Sequence, residues 1–207
     1  MKMIAESKVE GHFIGLLPLV ENMVSSKSIR PGDVIKSYSG KTVEVVDTDA
    51  EGRLIIAESM SYAEKWKPSL CIDIATLTGQ AVTLFDGKSS VLIGTNNTMN
   101  QKMIQSGIVN QEKIWELPMW ESYLQYTRSN IADYKSYPLE SKGQIISAAA
   151  FIYNFVPKGS EWIHLDIAGV REVRYDHETR HKGASGEVLR TLYTFLTHLK
   201  KPIYANK

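Results

Sequence analysis

Short apolar runs alternate along this chain with longer segments of helical periodicity, and this alternation constrains the fold more than any other sequence feature. The runs typical of buried strands are His12–Leu17, Leu70–Ile74, Ser89–Gly94 and Glu161–Ile167. Helical periodicity marks Leu54–Trp66, Asn97–Ser106, Trp120–Asn130, Gln144–Phe155 and Glu187–Leu199. Strands interleaved with helices of this length are typical of α/β proteins. The sequence therefore predicts an α/β fold with a mixed sheet sandwiched between helices.

A β-hairpin is also predicted. Val34–Tyr38 and Lys41–Val46 each alternate β-branched or aromatic residues with polar ones, on either side of the turn Ser39-Gly40. Such a pair of runs is typical of hairpins. Functional sites in α/β sheets gather in loops after the carboxyl ends of strands. We therefore expect functional residues in Asp47–Arg53, after the hairpin, and in Ala75–Gly79, after the next strand.

Length and charge limit the expected domain organisation and partners. The 207 residues contain no repeat or low-complexity linker, which predicts one domain over residues 1–207. The charged side chains, 24 Lys+Arg and 23 Asp+Glu, leave a net charge of +1, so no nucleic-acid or membrane partner is expected. The single cysteine fits a reducing compartment. Because Met1–Gly11 lacks the pattern of a signal peptide, we expect a cytoplasmic protein.

The densest polar cluster is Asp47–Arg53, which places three carboxylates and one guanidinium within seven residues. If this segment is extended, Asp47, Asp49, Glu51 and Arg53 fall on one side, since side chains alternate along a strand. Converging carboxylates favour a divalent cation between them, and an arginine can hold an anion. The alternative is an acidic N-terminal cap on the following helix, where the dipole favours carboxylates.

Other motifs are less specific. The segment from His177 to His181 matches H-E-x-x-H, a zinc-binding pattern, but no apolar helical stripe accompanies it, which favours a solvated loop. Thr76–Gly79 follows a strand and fits either a substrate site or a capped helix start. His164 and Asp166 share a strand face and fit a satisfied core pair rather than catalytic residues, and Cys71 fits a buried packing residue.

Asp47–Leu54 (DTDAEGRL) resembles the signature octapeptide of the leucyl aminopeptidase (cytosol aminopeptidase) family, in which the first position is usually asparagine. Further segments resemble family blocks in family order. They are Gly15–Met23, Pro31-Gly32-Asp33, Ser39–Val43, Ile72–Gly79, Trp115–Trp120, Ile131-Ala132-Asp133 and Trp162–Gly169. The resemblance covers nearly the whole chain up to the final helix.

The resemblance implies a fold similar to that of zinc exopeptidases, usually preceded by a smaller domain and assembled as a hexamer. It also implies removal of N-terminal amino acids, leucine-type, from peptides with two divalent metal ions, Mn²⁺, Zn²⁺ or Mg²⁺. Position by position, Asp49 and Glu51 match metal ligands, and Arg53 matches the arginine that holds bicarbonate. The matching substrate-binding positions are Thr76, Leu77, Gly79 and Ala168.

The family's lysine–aspartate block, which carries the remaining metal ligands, has no counterpart in this sequence. Met1 aligns after that block, so we expect a partial catalytic domain without its first strands and with an exposed edge or apolar face near His12–Leu17. Arg171 stands just after 168–170, a stretch that in family members helps to form the pocket for the first side chain and is often apolar, which suggests either a preference for acidic side chains or a pocket that is no longer under selection.

Three hypotheses follow. The chain is an aminopeptidase domain whose missing ligands come from another polypeptide or an upstream segment, a non-catalytic binding or assembly subunit, or a zinc protease using His177 and His181.

Overall fold

The computed structural model describes residues 1–140, 143–173 and 181–199. Their helices are α1 (Lys2–Glu6), α2 (Glu51–Ala63), α3 (Gly79–Leu84), α4 (Asn97–Val109), α5 (Gln144–Tyr153) and α6 (Leu189–Thr197). Their strands are β1 (Val34–Lys36), β2 (Thr42–Glu44), β3 (Leu70–Ala75), β4 (Ser90–Gly94), β5 (Ile114–Glu116), β6 (Tyr134–Lys135), β7 (Glu161–Asp166), β8 (Glu172–Val173) and β9 (Gly183–Ala184). Short 3-10 helices cover Thr48–Ala50, Glu64–Trp66, Glu121–Thr127 and Ala168–Val170.

The chain divides into two compact units. The first unit comprises residues 1–16, 74–117 and the described part of 165–207, and the second comprises residues 17–73 and 118–164. Because the divisions fall within β3 and β7, the amino-terminal parts of these strands belong to the second unit and their carboxyl ends to the first.

A three-stranded mixed sheet characterises the second unit. β1 pairs antiparallel with β2, so that Ile35 faces Val43, and β6 runs parallel to β2. The hairpin turn closes with a hydrogen bond from the Ser37 amide to the Lys41 carbonyl, and Gly40 takes the positive φ of +84° that the turn requires. Helices α2 and α5 pack together, and Val43 and Phe151 are buried. The predicted hairpin is confirmed.

In the first unit, β4 and β5 pair in parallel, and the order of strands in the sheet is β3-β7-β4-β5. The three central residues of β4 are fully buried, as expected for a strand covered on both faces. Helix α6 packs against α4, and α3 packs against the 3-10 turn Ala168–Val170. Mixed sheets flanked by helices confirm the predicted α/β class.

The structure corrects three predictions about elements. No described residue pairs with His12–Leu17, so the predicted strand is wrong, and Pro18 has no amide hydrogen to donate to such a pairing. The segment is exposed instead, 40% at Ile14 and 84% at Leu17, which confirms the expected apolar exposure. Where an α-helix was predicted over Trp120–Asn130, the structure has a shorter 3-10 helix, Glu121–Thr127. Helix α2 begins at Glu51 rather than at the predicted Leu54.

Among the residues that the structure describes, no helix has both the length and the apolar character needed to span a bilayer.

Candidate functional site

The acidic segment is a turn followed by a helix, not an extended strand. Asp47 caps the 3-10 turn Thr48–Ala50, and its Oδ1 accepts a hydrogen bond of 3.0 Å from the Asp49 amide. Helix α2 starts directly afterwards and carries Glu51 in its first turn. The expectation for an extended segment, with all four side chains on one side, is therefore wrong, because side chains do not alternate between two faces in a helical segment as they do along a strand. The alternative of an acidic cap on the helix is confirmed only in that Glu51 lies in the first turn of α2, because Asp47 caps the preceding 3-10 segment and the N-cap of α2 is Ala50, without a side-chain hydrogen bond.

Asp49 and Glu51 nevertheless line the same open cleft of about 720 Å³ in the second unit. Asp49 is exposed and Glu51 is half-buried. The remaining wall is largely apolar and includes Leu54 and Phe151. Two carboxylates that stay accessible beside an apolar wall can bind a cation or the ammonium group of an organic ligand.

Arg53 is almost completely buried, with 4% of its surface exposed. Its Nη1 donates a hydrogen bond of 3.0 Å to the Ser136 carbonyl, and its guanidinium lies 5.1 Å from the centre of the Tyr137 ring. Burial lowers the pKa of Arg53 to about 10, while the charges of Tyr137 and Asp47 act in the opposite direction. The side chain therefore remains a cation at neutral pH, held by a carbonyl and an aromatic face.

The other predicted substrate-binding residues belong to the first unit, where two loops meet at Asp166. This fully buried carboxylate accepts hydrogen bonds from the Leu77 amide (3.1 Å), the Thr78 hydroxyl (2.7 Å) and the Ala168 amide (3.1 Å). Thr78 also caps α3 by accepting from the Ala81 amide at 3.3 Å, which confirms a capped helix start. Asp166 thus fixes the loop 76–79 and the loop at Ala168 to each other.

Within these loops, Thr76 and Gly79 are exposed, Leu77 is half-buried and Ala168 is buried. Gly169 has a packing role, since a Cβ there would lie 2.8 Å from the Ala81 carbonyl oxygen. Arg171 donates to the Ala168 carbonyl at 2.8 Å and lies 3.7 Å from a Glu172 carboxylate oxygen. The acidic preference suggested for Arg171 stays a prediction.

Buried polar side chains of β3 and β7 in the second unit form hydrogen bonds with one another. Asp73 Oδ1 lies 2.5 Å from His164 Nδ1, and Asp73 Oδ2 accepts from Trp162 Nε1 at 2.7 Å. His164 and Asp166 are thus confirmed as buried core residues, but the predicted pairing of the two is wrong, because His164 contacts Asp73 and Asp166 bonds the loops in the first unit. Cys71 is confirmed as buried, and burial raises the pKa of its thiol to about 11.

Sequence patterns did not identify Asp73 as the partner of His164, or Asp166 as the acceptor of three hydrogen bonds from two loops, because both depend on which loops and strands meet in the fold. The H-E-x-x-H motif cannot be placed either. Residues 177–180 lie outside the described residues, and the exposed His181 is its only described member.

A metal centre requires more ligands than this segment provides. Over residues 1–140, 143–173 and 181–199, no group of three or more His, Cys, Asp or Glu side chains is arranged to hold an ion. Asp49 and Glu51 are suitable oxygen donors, but two carboxylates do not complete a structural or catalytic site. The described residues of this chain therefore do not form a metal centre by themselves.

Comparison with known proteins gives consistent matches. A probable cytosol aminopeptidase of Geotalea uraniireducens (strain Rf4) is 39% identical over 200 residues, which cover 97% of this chain and 40% of the relative. One from Protochlamydia amoebophila (strain UWE25) is 43% identical over 185 residues, covering 89% of this chain and 37% of the relative. The chain therefore spans about two fifths of the length of these relatives.

A solved structure, the bottromycin maturation enzyme BotP, superposes with a TM-score of 0.82 at 31% identity, covering 87% of this chain and 40% of that one. The family model described as "cytosol aminopeptidase family, catalytic domain" matches residues 1–193. A match over nearly the whole chain, with relatives at this identity, shows that the chain belongs to the cytosol aminopeptidase family.

Proposed function

We propose that this chain forms part of the active site of a metal-dependent aminopeptidase that removes leucine-type N-terminal amino acids from peptides. The observation that carries the proposal is the family match over residues 1–193, which includes the Asp49–Arg53 segment. The cleft supports it further, because Asp49 and Glu51 present their carboxylates beside an apolar wall. Such a lining suits a free ammonium group with an apolar side chain next to it.

Two divalent ions, Mn²⁺ or Zn²⁺, are the proposed cofactors, and Asp49 and Glu51 are the ligands that this chain would contribute. Further ligands have to come from outside the described residues, so no catalytic step is assigned to the ions. Bicarbonate at Arg53 stays a prediction; one guanidinium nitrogen of Arg53 is bonded to the Ser136 carbonyl.

Thr76, Leu77, Gly79 and Ala168 are proposed to bind the peptide. The role of Asp166 supports this, because it fixes the two loops that carry these residues and so limits the conformations they can adopt. A hexameric assembly and a cytoplasmic location, both implied by the family resemblance or the composition, stay predictions.

The test combines calorimetric titration with Mn²⁺ or Zn²⁺ and hydrolysis of leucine amide by the metal-loaded protein. We expect Asp49→Asn and Glu51→Gln to lower both metal affinity and turnover at least tenfold, since each removes a carboxylate ligand. Asp86→Asn is the matched control, because the Asp86 side chain is 92% exposed and does not line the cleft. Equal metal affinity in all three variants would contradict the assigned residues.

A second function, that of a non-catalytic binding or assembly subunit, is favoured by one observation: the described residues contain no group of three or more His, Cys, Asp or Glu side chains arranged to hold an ion. Under this alternative, the folded chain shows no turnover with either ion, and Glu51→Gln leaves its metal affinity unchanged. Two bound ions per chain together with hydrolysis of leucine amide would exclude it.

A further inference from the structure

A ladder of stacked aromatic rings lies along the 3-10 helix Glu121–Thr127 in the second unit. Trp120 stacks on Tyr123 with ring centres 5.3 Å apart and planes at 22°, and Tyr123 stacks on Tyr126 at 6.1 Å and 17°. A 3-10 helix has three residues per turn, so side chains three positions apart are aligned. The 3-10 geometry, found where an α-helix was predicted, therefore brings the three rings into one stack.

The ladder is held firmly on the body of this unit. Thr127, the last residue of the 3-10 helix, is 2% exposed. Its hydroxyl donates to the Leu124 carbonyl at 2.8 Å and accepts from Asn154 Nδ2 at 3.1 Å, and the 3-10 helix packs against α5. Because these contacts order the rings before any ligand binds, the stack is a preorganised surface for a further flat ring.

The ladder ends in an open cleft of about 670 Å³, which shares no lining residue with the cleft that contains Asp49 and Glu51. We define this tyrosine cleft by four of its lining residues, Tyr123, Tyr126, Arg128 and Lys135. Among the described residues, no ring other than that of Tyr123 stacks on Tyr126. Clefts of about 300–1,000 Å³ are typical of small-molecule sites, so the tyrosine cleft has room for a ligand that extends the ladder.

The two cations of the tyrosine cleft are available to such a ligand. Neither Arg128 nor Lys135 forms an ion pair or a side-chain hydrogen bond with any other residue that the structure describes. The carboxylate of Glu140 also lines the cleft, but Glu140 is exposed and one negative charge leaves the lining with a net charge of +1. Two cations without an acidic partner favour an anion such as a phosphate monoester, which arginine binds through parallel N–H···O bonds.

A flat aromatic ring and a phosphate occur together in a nucleotide. Nucleobases stack on aromatic side chains, and the phosphate supplies the anion. We propose that the tyrosine cleft binds a nucleoside monophosphate, with its base on Tyr126 at the end of the ladder and its phosphate at Arg128 and Lys135. A single-stranded nucleic acid is less favoured, since two cations in a chain of net charge +1 provide no extended basic groove for a phosphate backbone. This site is independent of the proposed aminopeptidase function.

Calorimetric titration of the full chain without metal tests the site, with adenosine monophosphate (AMP), adenosine and inorganic phosphate as separate ligands. We expect AMP to bind at one site per chain and about tenfold or more tightly than either fragment, because only AMP reaches both the ladder and the cations. Arg128→Gln and Tyr126→Leu should each weaken AMP binding about tenfold, since they remove a phosphate partner and a stacking ring. Arg128 is exposed and its side chain bonds no described residue, so its replacement leaves the fold intact.

Lys158→Gln and Tyr62→Leu are the matched controls and should leave AMP affinity unchanged. Both residues belong to the second unit and lie outside the tyrosine cleft. Lys158 is exposed like Arg128, and Tyr62 packs against the aromatic rings of Tyr38 and Trp66.

Three results would overturn the inference. The first is absence of AMP binding to the unaltered chain, or an AMP affinity no higher than that of adenosine or phosphate. The second is equal AMP affinity in Arg128→Gln and Lys158→Gln. The third is a thymidine oligonucleotide that binds more than tenfold tighter than AMP and loses affinity steeply with salt, because a single-stranded nucleic acid would then be the occupant. None of these readouts involves metal or peptide hydrolysis, so they are separate from any failure of the aminopeptidase activity.

Discussion

At the scale of single residues, Asp166 shows how one buried carboxylate can organise a candidate binding region. Its three hydrogen bonds reach two loops that are about ninety positions apart in the sequence. Hydrogen bonds to an ionised acceptor are stronger than those between neutral groups, and a buried carboxylate without them is costly. The conformation of the loop 76–79 therefore depends on the charge and the acceptor geometry of this side chain.

We expect Asp166→Asn to destabilise the protein by about 2 kcal/mol, because an amide presents donor hydrogens to groups that are themselves donors. Urea unfolding followed by circular dichroism measures this change. Asp86→Asn provides the control and should change the free energy of unfolding by less than about 0.5 kcal/mol, as an exposed substitution. An equal effect of the two variants would show that Asp166 does not hold the loops.

The residue scale also shows what the octapeptide could and could not predict. Residue types pointed to the polar cluster as a whole, the family resemblance selected Asp49, Glu51 and Arg53 within it, and the structure places the two carboxylates on one cleft. Their arrangement was predicted wrongly, because the run of polar residues suits both an extended strand and a helix start. The cap formed by Asp47 favours the 3-10 turn that leads directly into α2.

At the scale of elements, the closing helix α6 depends on a residue far from it in sequence. Glu112, which is 2% exposed, accepts from the Thr191 amide at 2.9 Å, the Thr191 hydroxyl at 2.6 Å and Arg190 Nε at 3.0 Å. The first amides of a helix have no partner within the helix, and a carboxylate at this end is favoured by the dipole. Glu112 thus replaces the capping side chain that Val188 cannot provide.

We predict that Glu112→Gln destabilises the protein by about 2 kcal/mol and loosens the first turn of α6, since the amide cannot accept all three bonds. Hydrogen exchange at Thr191 and the following amides should become faster, together with a lower urea midpoint. Glu10→Gln, at an exposed position, is the matched control and should leave both quantities unchanged. Unchanged exchange at α6 in Glu112→Gln would contradict the assigned anchor.

At the scale of the whole molecule, the exposed apolar side chains of Leu17, Leu19, Val20, Met23 and Val24 affect behaviour in solution. Apolar side chains on an unpaired segment favour association with any complementary surface, including other copies of the chain. Covering them gains about 25 cal/mol for each Å² of apolar surface, and by mass action the associated fraction rises with protein concentration.

We expect the isolated chain to bind the apolar dye ANS and to associate further as its concentration rises. The double variant with Leu17→Lys and Leu19→Lys should bind clearly less dye and sediment as a smaller species. Fluorescence titration and sedimentation velocity measure the two effects, with Leu139→Lys as the control. A double variant that resembles the unaltered chain in both measurements would contradict the prediction.

The sequence by itself determined the α/β class, the hairpin, most helices and the family, because these depend on local periodicity, turn residues and a specific octapeptide. Only the tertiary structure decided that residues 12–17 pair with no described strand, that Asp47 caps a turn, and that Asp166 and Glu112 anchor distant segments. Strand pairing and buried hydrogen bonds join residues that are far apart along the chain, so no local pattern reports them. The same reason explains the exposure of Leu17 and Leu19: such residues are typical of a buried strand, but whether a strand is buried depends on a partner elsewhere in three dimensions.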